Sequence, residues 1–193
     1  MKKFLLFLMT TVSVFMYTAC TPSENTDQAT ASIKSSTFSK ETNNVLSIFD
    51  GKLYFFDTTW KDTAKYFKFT GWTYQDGTWV ESGSTSGTSE DFPKQIALLL
   101  EEDAYTLYTL IDKDGSGGAT VNLNHAIFET ASMTGVQKIE QSTQIPYDQE
   151  TPIFVKIGTT KDNMKQFSIT DDFRTLDCDM GFALTLTISD KEL

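Results

Sequence analysis

Histidine occurs once in the 193 residues, as His125 within Asn122-Leu123-Asn124-His125-Ala126. One imidazole excludes a multi-histidine zinc site and any mechanism that needs two. There is no Gly-x-Ser-x-Gly, no glycine-rich phosphate loop ahead of a helix, and no Cys–His pair at a familiar spacing. Only a Ser-His-Asp set drawn from distant residues stays open for nucleophilic catalysis. Carboxylate pairs are the other raw material for hydrolysis. Asp171-Asp172 and Asp177/Asp179 are close in sequence, and glycoside cleavage needs two carboxyls about 5–9 Å apart across a cleft. Asp171-Asp172 runs into Phe173-Arg174 and reads more simply as a turn. Cys178 stands between Asp177 and Asp179; the flanking carboxylates disfavour a thiolate, so it reads as a small buried side chain.

Two stretches suggest binding. Asp112, Asp114 and Ser116 occupy alternating oxygen positions in Asp112-Lys113-Asp114-Gly115-Ser116-Gly117-Gly118, as ligands do in a calcium loop. The bidentate Glu position of an EF-hand is Leu123, and neither flank is helical. What remains is a looser calcium site, set against a plain turn that uses Asp for its turn preference. The second stretch is aromatic. Thr70-Gly71-Trp72-Thr73-Tyr74-Gln75-Asp76-Gly77-Thr78-Trp79 resembles a single choline-binding-type repeat of bacterial surface proteins, with its Gly-Trp start and Gly-x-Trp return. It departs at Val80-Glu81 and occurs once, whereas such ligand sites form between successive repeats, so it is read as an aromatic hairpin. On paired strands Trp72, Tyr74 and Trp79 share a face. Exposed, they would stack on a sugar ring or cage a cation; packed inward, they are core.

Cys20 is placed for covalent chemistry of another kind. Met1-Lys2-Lys3 is a basic start, and Phe4 to Met16 is an uncharged apolar run. That run is shorter than the roughly 20 residues that span a bilayer, and it fits a secretory signal. Tyr17-Thr18-Ala19-Cys20 then resembles the lipobox of bacterial lipoproteins, with Tyr17 where that family usually has Leu. The resemblance implies cleavage before Cys20, acylation of Cys20 with palmitate-like chains, and anchoring to the bacterial cell membrane or outer membrane on the extracytoplasmic side. Several acyl chains give stable anchoring where one is marginal. With Cys20 acylated, Cys178 has no partner for a disulfide.

The expected organisation is a signal peptide over 1–19, a flexible polar tether over 20–44, and one β-rich domain over 45–193. Short alternating runs separated by turn residues predict an all-β, mainly antiparallel sandwich of roughly ten strands. Strands are expected at Val45–Phe49, Lys52–Asp57, Tyr66–Tyr74, Thr78–Glu81, Tyr105–Ile111, Ala119–Glu129, Val136–Ile145, Ile153–Gly158, Met164–Thr170 and Phe182–Ser189. Asp50-Gly51 and Gln75-Asp76-Gly77 are hairpin turns, and Ser82–Glu90 is a loop. The apolar run near 93–102 fits either one short helix starting at Pro93 or a buried strand, since so brief a run does not discriminate, and the helix is slightly favoured. No βαβ alternation appears, which argues against nucleotide-binding α/β folds.

The net charge is −10, and about −12 without Lys2 and Lys3. This disfavours nucleic acid as a partner, because that affinity comes mainly from Lys and Arg on phosphates, and none is expected. The functional expectation is a membrane-anchored lipoprotein that recognises a carbohydrate or cell-surface ligand through Trp72, Tyr74 and Trp79. The alternative is a protein–protein or envelope structural module, and a hydrolase is the third reading.

Overall fold

At Asp76 and Gly77 the backbone φ values are +50° and +84°. Both central residues of the turn are left-handed, which Asp-Gly tolerates and most pairs do not. The turn joins strands Tyr66–Gln75 (β3) and Thr78–Thr88 (β4), paired antiparallel from Gln75↔Thr78 to Tyr66↔Thr88 with one bulge at Gly71/Trp72. Around this hairpin the chain builds an all-β sandwich. The computed structural model describes residues 29–49, 52–112, 115–123 and 126–193.

The other strands are β1 (Ala29–Ser35), β2 (Leu53–Trp60), β5 (Gln95–Leu100), β6 (Ala104–Asp112), β7 (Gly115–Asn122), β8 (Met133–Lys138), β9 (Thr143–Pro146), β10 (Thr151–Thr159) and β11 (Met180–Ser189). They form a six-stranded sheet, β7-β6-β5-β2-β1-β9, and a five-stranded sheet, β4-β3-β11-β10-β8, with every ladder pair antiparallel. Period-two alternation sends Phe56, Ile96, Leu98 and Leu107 from one sheet onto Phe69, Phe154, Phe182 and Leu184 from the other. Ring pairs bridge the sheets: Tyr54 lies 4.5 Å from Phe154 and Tyr105 lies 4.9 Å from Phe182, centroid to centroid.

Several expectations are corrected. The run near 93–102 is strand β5, not a helix. Ile96, Leu98 and Leu100 alternate into the core while β2 and β6 satisfy the backbone on both sides; a helix there would split the sheet. The one α-helix among the described residues, α1 (Lys40–Leu46), starts inside the expected tether and ends two residues beyond it, with Ser39 accepting from the Thr42 amide at its N-terminus. The expected tether over 20–44 is also too long at its far end. β1 sits between β2 and β9 and buries Ala31 and Ile33. Val45–Phe49 ends α1 and continues as a 3-10 turn at Ser47–Phe49 rather than a strand.

Ser82–Thr88, expected as loop, continues β4 because β3 offers a full ladder to pair with. The expected strand over Val136–Ile145 is two strands in different sheets. Gly115–Gly118, expected as loop, opens β7, and the strand expected over Ala119–Glu129 ends at Asn122. Met164–Thr170 is not a strand either. Residues 160–179 instead run as a strap over the outer face of the five-stranded sheet, with one 3-10 turn at Phe173–Thr175. The Asp50-Gly51 turn lies outside the described residues.

Candidate functional site

Trp72, Tyr74 and Trp79 do share a face, the outer one of the five-stranded sheet, and the strap lies over them. Trp79 is buried at 9% exposure; Trp72 and Tyr74 are half-buried. Phe173, in the strap, is 1% exposed, with its ring 4.8 Å from Trp79 and 6.1 Å from Trp72. Val155, Ile157, Cys178 and Ala183 complete this second small core. Gly181 is needed beneath it, since a Cβ there would sit 2.4 Å from the Trp79 ring. The trio therefore works mostly as a packing platform for the strap.

Trp72 keeps a wet edge with polar neighbours. The Arg174 guanidinium stacks 4.3 Å over its ring and pairs with Glu150 at 2.6 Å. Trp72 Nε1 donates to Thr185 Oγ1 at 3.1 Å, and that hydroxyl donates to Glu150 Oε1 at 2.8 Å. One hydroxyl thus links an indole N–H to a carboxylate, and the carboxylate's other oxygen holds the arginine on the ring.

The carboxylate pairs have structural work. Asp171 accepts from the Ser168 amide, and Asp172 caps the 3-10 turn through the Arg174 amide. Asp177 lies 3.6 Å from Lys161 and 3.8 Å from Lys165. Asp179 Oδ2 accepts from Thr159 Oγ1, the Thr160 amide and Thr160 Oγ1 at 2.8–2.9 Å. These bonds hold its pKa below the usual carboxylate value. Cys178 is a buried free thiol, pushed up to about 11 first by burial and then by Asp179 and Asp177.

Ser116 is an exposed residue of β7. Asp114 and the side chain of Asp112 lie outside the described residues, as do His125 and Cys20. Among the described residues no three His, Cys, Asp or Glu side chains converge to hold a metal ion.

A site without a sequence motif lies on the outer face of the six-stranded sheet. Its floor is Leu53 and Phe55 of β2 with Ala97 and Leu99 of β5. Tyr108 and Leu110 of β6 wall one side, Phe49 of the 3-10 turn closes an end, and Ser116 of β7 marks the far rim. The groove holds about 300 Å³, the lower end of the range for small-ligand pockets. Phe49, Tyr108 and Leu110 are 39%, 42% and 40% exposed, which is unusual for large apolar groups side by side. The signal available in sequence was that Leu53, Phe55, Leu99, Tyr108 and Leu110 are apolar at the solvent-facing phase of their strands, where a one-sided sheet would carry polar residues.

No protein-family model, curated protein or solved structure matches the chain.

Proposed function

We propose that the chain is a lipid-anchored binding module, acylated at Cys20 and held on the extracytoplasmic side of a bacterial membrane, which binds an apolar or amphipathic ligand on the outer face of its six-stranded sheet. One observation carries the binding reading: an open apolar groove of about 300 Å³ whose walls are left wet by the fold itself. Exposing such a surface is unfavourable by about 25 cal/mol per Å² relative to covering it, so a ligand that covers it gains that energy. The anchoring reading rests on Lys2-Lys3, the apolar run and Tyr17-Thr18-Ala19-Cys20. No described helix is long and apolar enough to cross a membrane.

The groove is tested with the neutral probe N-phenyl-1-naphthylamine on an unacylated Cys20→Ser chain. Saturable fluorescence enhancement is expected, and Leu110→Glu should weaken it about tenfold or more by placing a charge in an apolar wall. Non-saturable uptake, or equal uptake by the variant, would sink the reading.

Carbohydrate recognition is the second reading, and the wet edge of Trp72 beside Arg174 and Glu150 favours it, since an aromatic ring rimmed by hydrogen-bonding groups is what a pyranose needs. Glycan-array binding lost in Trp72→Phe, which keeps the packing and drops the indole N–H, supports it. An empty array removes it.

A further inference from the structure

We propose that β7 is a docking edge for an extended segment of another polypeptide, which adds as a seventh strand to the six-stranded sheet and lays alternate apolar side chains toward the groove. The partner's segment is apolar at every second position and basic near the end that meets Asn122. The proposal rests on the groove being a binding surface.

A sheet edge displays unpaired backbone N–H and C=O groups, and folds normally blunt it with charge, proline, bulges or brevity. Three of the four edges here are blunted. β9 has four residues and ends in Pro146. β8 carries Lys138, and the strap packs Met164 and Phe167 against Gly135. β4 carries Glu81 and is bulged opposite Gly71/Trp72. β7 is different. Gly115-Ser116-Gly117-Gly118-Ala119-Thr120-Val121-Asn122 has no charge and no proline; its register with β6 shifts only between Leu110 and Asp112, at the Gly115 end, and Val121 on its inner face packs against Gly83 of β4.

The edge also opens onto the groove. Gly118 pairs with Tyr108, so it shares the outward face, and Ser116 is itself a rim residue. With a glycine and a serine as the outward residues beside the Tyr108–Leu110 wall, side chains of an added strand reach across β7 to that wall. This is strand addition, in which main-chain bonds supply affinity and pockets for alternate side chains supply selectivity.

Charge sets the partner's class. Exposed Glu101, Glu102 and Asp103 form the turn at the Asn122 end, where the Leu123 and Ile127 amides bond to the Asp103 and Glu102 carbonyls. A basic partner end is favoured there. A second copy is disfavoured, because each acylated copy, without Lys2 and Lys3, carries about −12.

The test uses the full acylated chain in phosphatidylcholine vesicles and a fluorescent synthetic peptide of alternating valine and threonine with lysine pairs at both ends. Saturable anisotropy is expected. Methylating alternate peptide amide nitrogens should weaken binding about tenfold or more by removing strand donors without touching the protein. Exchanging lysine for glutamate should weaken it at low salt and less at high salt. Absence of saturation, equal binding of the methylated peptide, or self-association of the chain that the peptide does not compete with would each overturn the proposal. If the naphthylamine probe binds and the peptide does not, strand docking fails and the groove stands; if neither binds, both fail.

Discussion

Cys178 combines free-thiol chemistry with a place that silences it. The side chain is 8% exposed, turned inward from the strap, and its pKa of about 11 leaves almost no thiolate at neutral pH. In a Cys20→Ser chain, a thiol reagent at pH 8 should leave Cys178 unlabelled in the folded state and react with it on adding urea. The raised value also has a stability consequence. The buried thiol's neutral form is favoured by folding, so this contribution is intact below the ordinary thiol value of 9.0 and is lost as pH rises toward about 11. Trp79 offers a second residue-level test. Its indole Nε1 is buried with no hydrogen-bond partner, an arrangement that costs about 1–3 kcal/mol. Trp79→Phe removes the orphan donor as well as volume, so urea melts should show a loss under about 1.5 kcal/mol, smaller than for an ordinary buried Trp.

The strap is the element whose stability can be separated from the rest. It has no strand pairing of its own, and its two ends meet at Asp179, which ties Thr159 and Thr160 to the start of β11. Because the folded pKa of Asp179 is lowered, its contribution is present above the ordinary value of 3.8 and fades as pH falls through the folded value. Hydrogen exchange should therefore show the Thr160 amide opening at acid pH, or in Asp179→Ala, while β10 and β11 stay protected. Phe173 is the strap's main apolar anchor. Phe173→Ala should loosen the strap, so that the Thr160 amide exchanges about tenfold faster or more while β10 and β11 amides stay protected. Tryptophan emission would shift red in the native state, since Trp72 and Trp79 gain water.

For the whole molecule, the two outer faces have different fates. The outer face of the five-stranded sheet is covered from within the chain, by a strap long enough to cross Val155, Ala183 and Trp79. The outer face of the six-stranded sheet has the 3-10 turn at one end and Phe38, whose ring packs edge-on 5.0 Å from Phe55, and leaves Tyr108 and Leu110 in water. This asymmetry is the reason the proposed ligand is placed on one side of the sandwich. The sandwich's tethering is tested on the intact cell product: mass spectrometry of the mature N-terminus should find acyl groups on Cys20, and an unmodified soluble protein would remove the membrane assignment.

The all-β class was legible because its signals are local. Asp76-Gly77 requires left-handed backbone, and Phe182, Leu184, Leu186 and Ile188 alternate with period two. What lay beyond sequence was which face each apolar residue meets. β11 reads as a strand packed on one side, yet Ala183 and Thr185 are buried on its other face too, because the strap and Glu150 reach them. β5 is too short for periodicity to separate strand from helix, and only pairing with β2 and β6 decides it. The strap itself has no period to read. Trp72, Tyr74 and Trp79 were found as a cluster from the hairpin alone, but their covering comes from Phe173, about a hundred residues later. The groove joins residues from β2, β5, β6 and β7, which no spacing connects. Alternation marks that a face is apolar; only tertiary packing settles whether the chain covers that face or leaves it open.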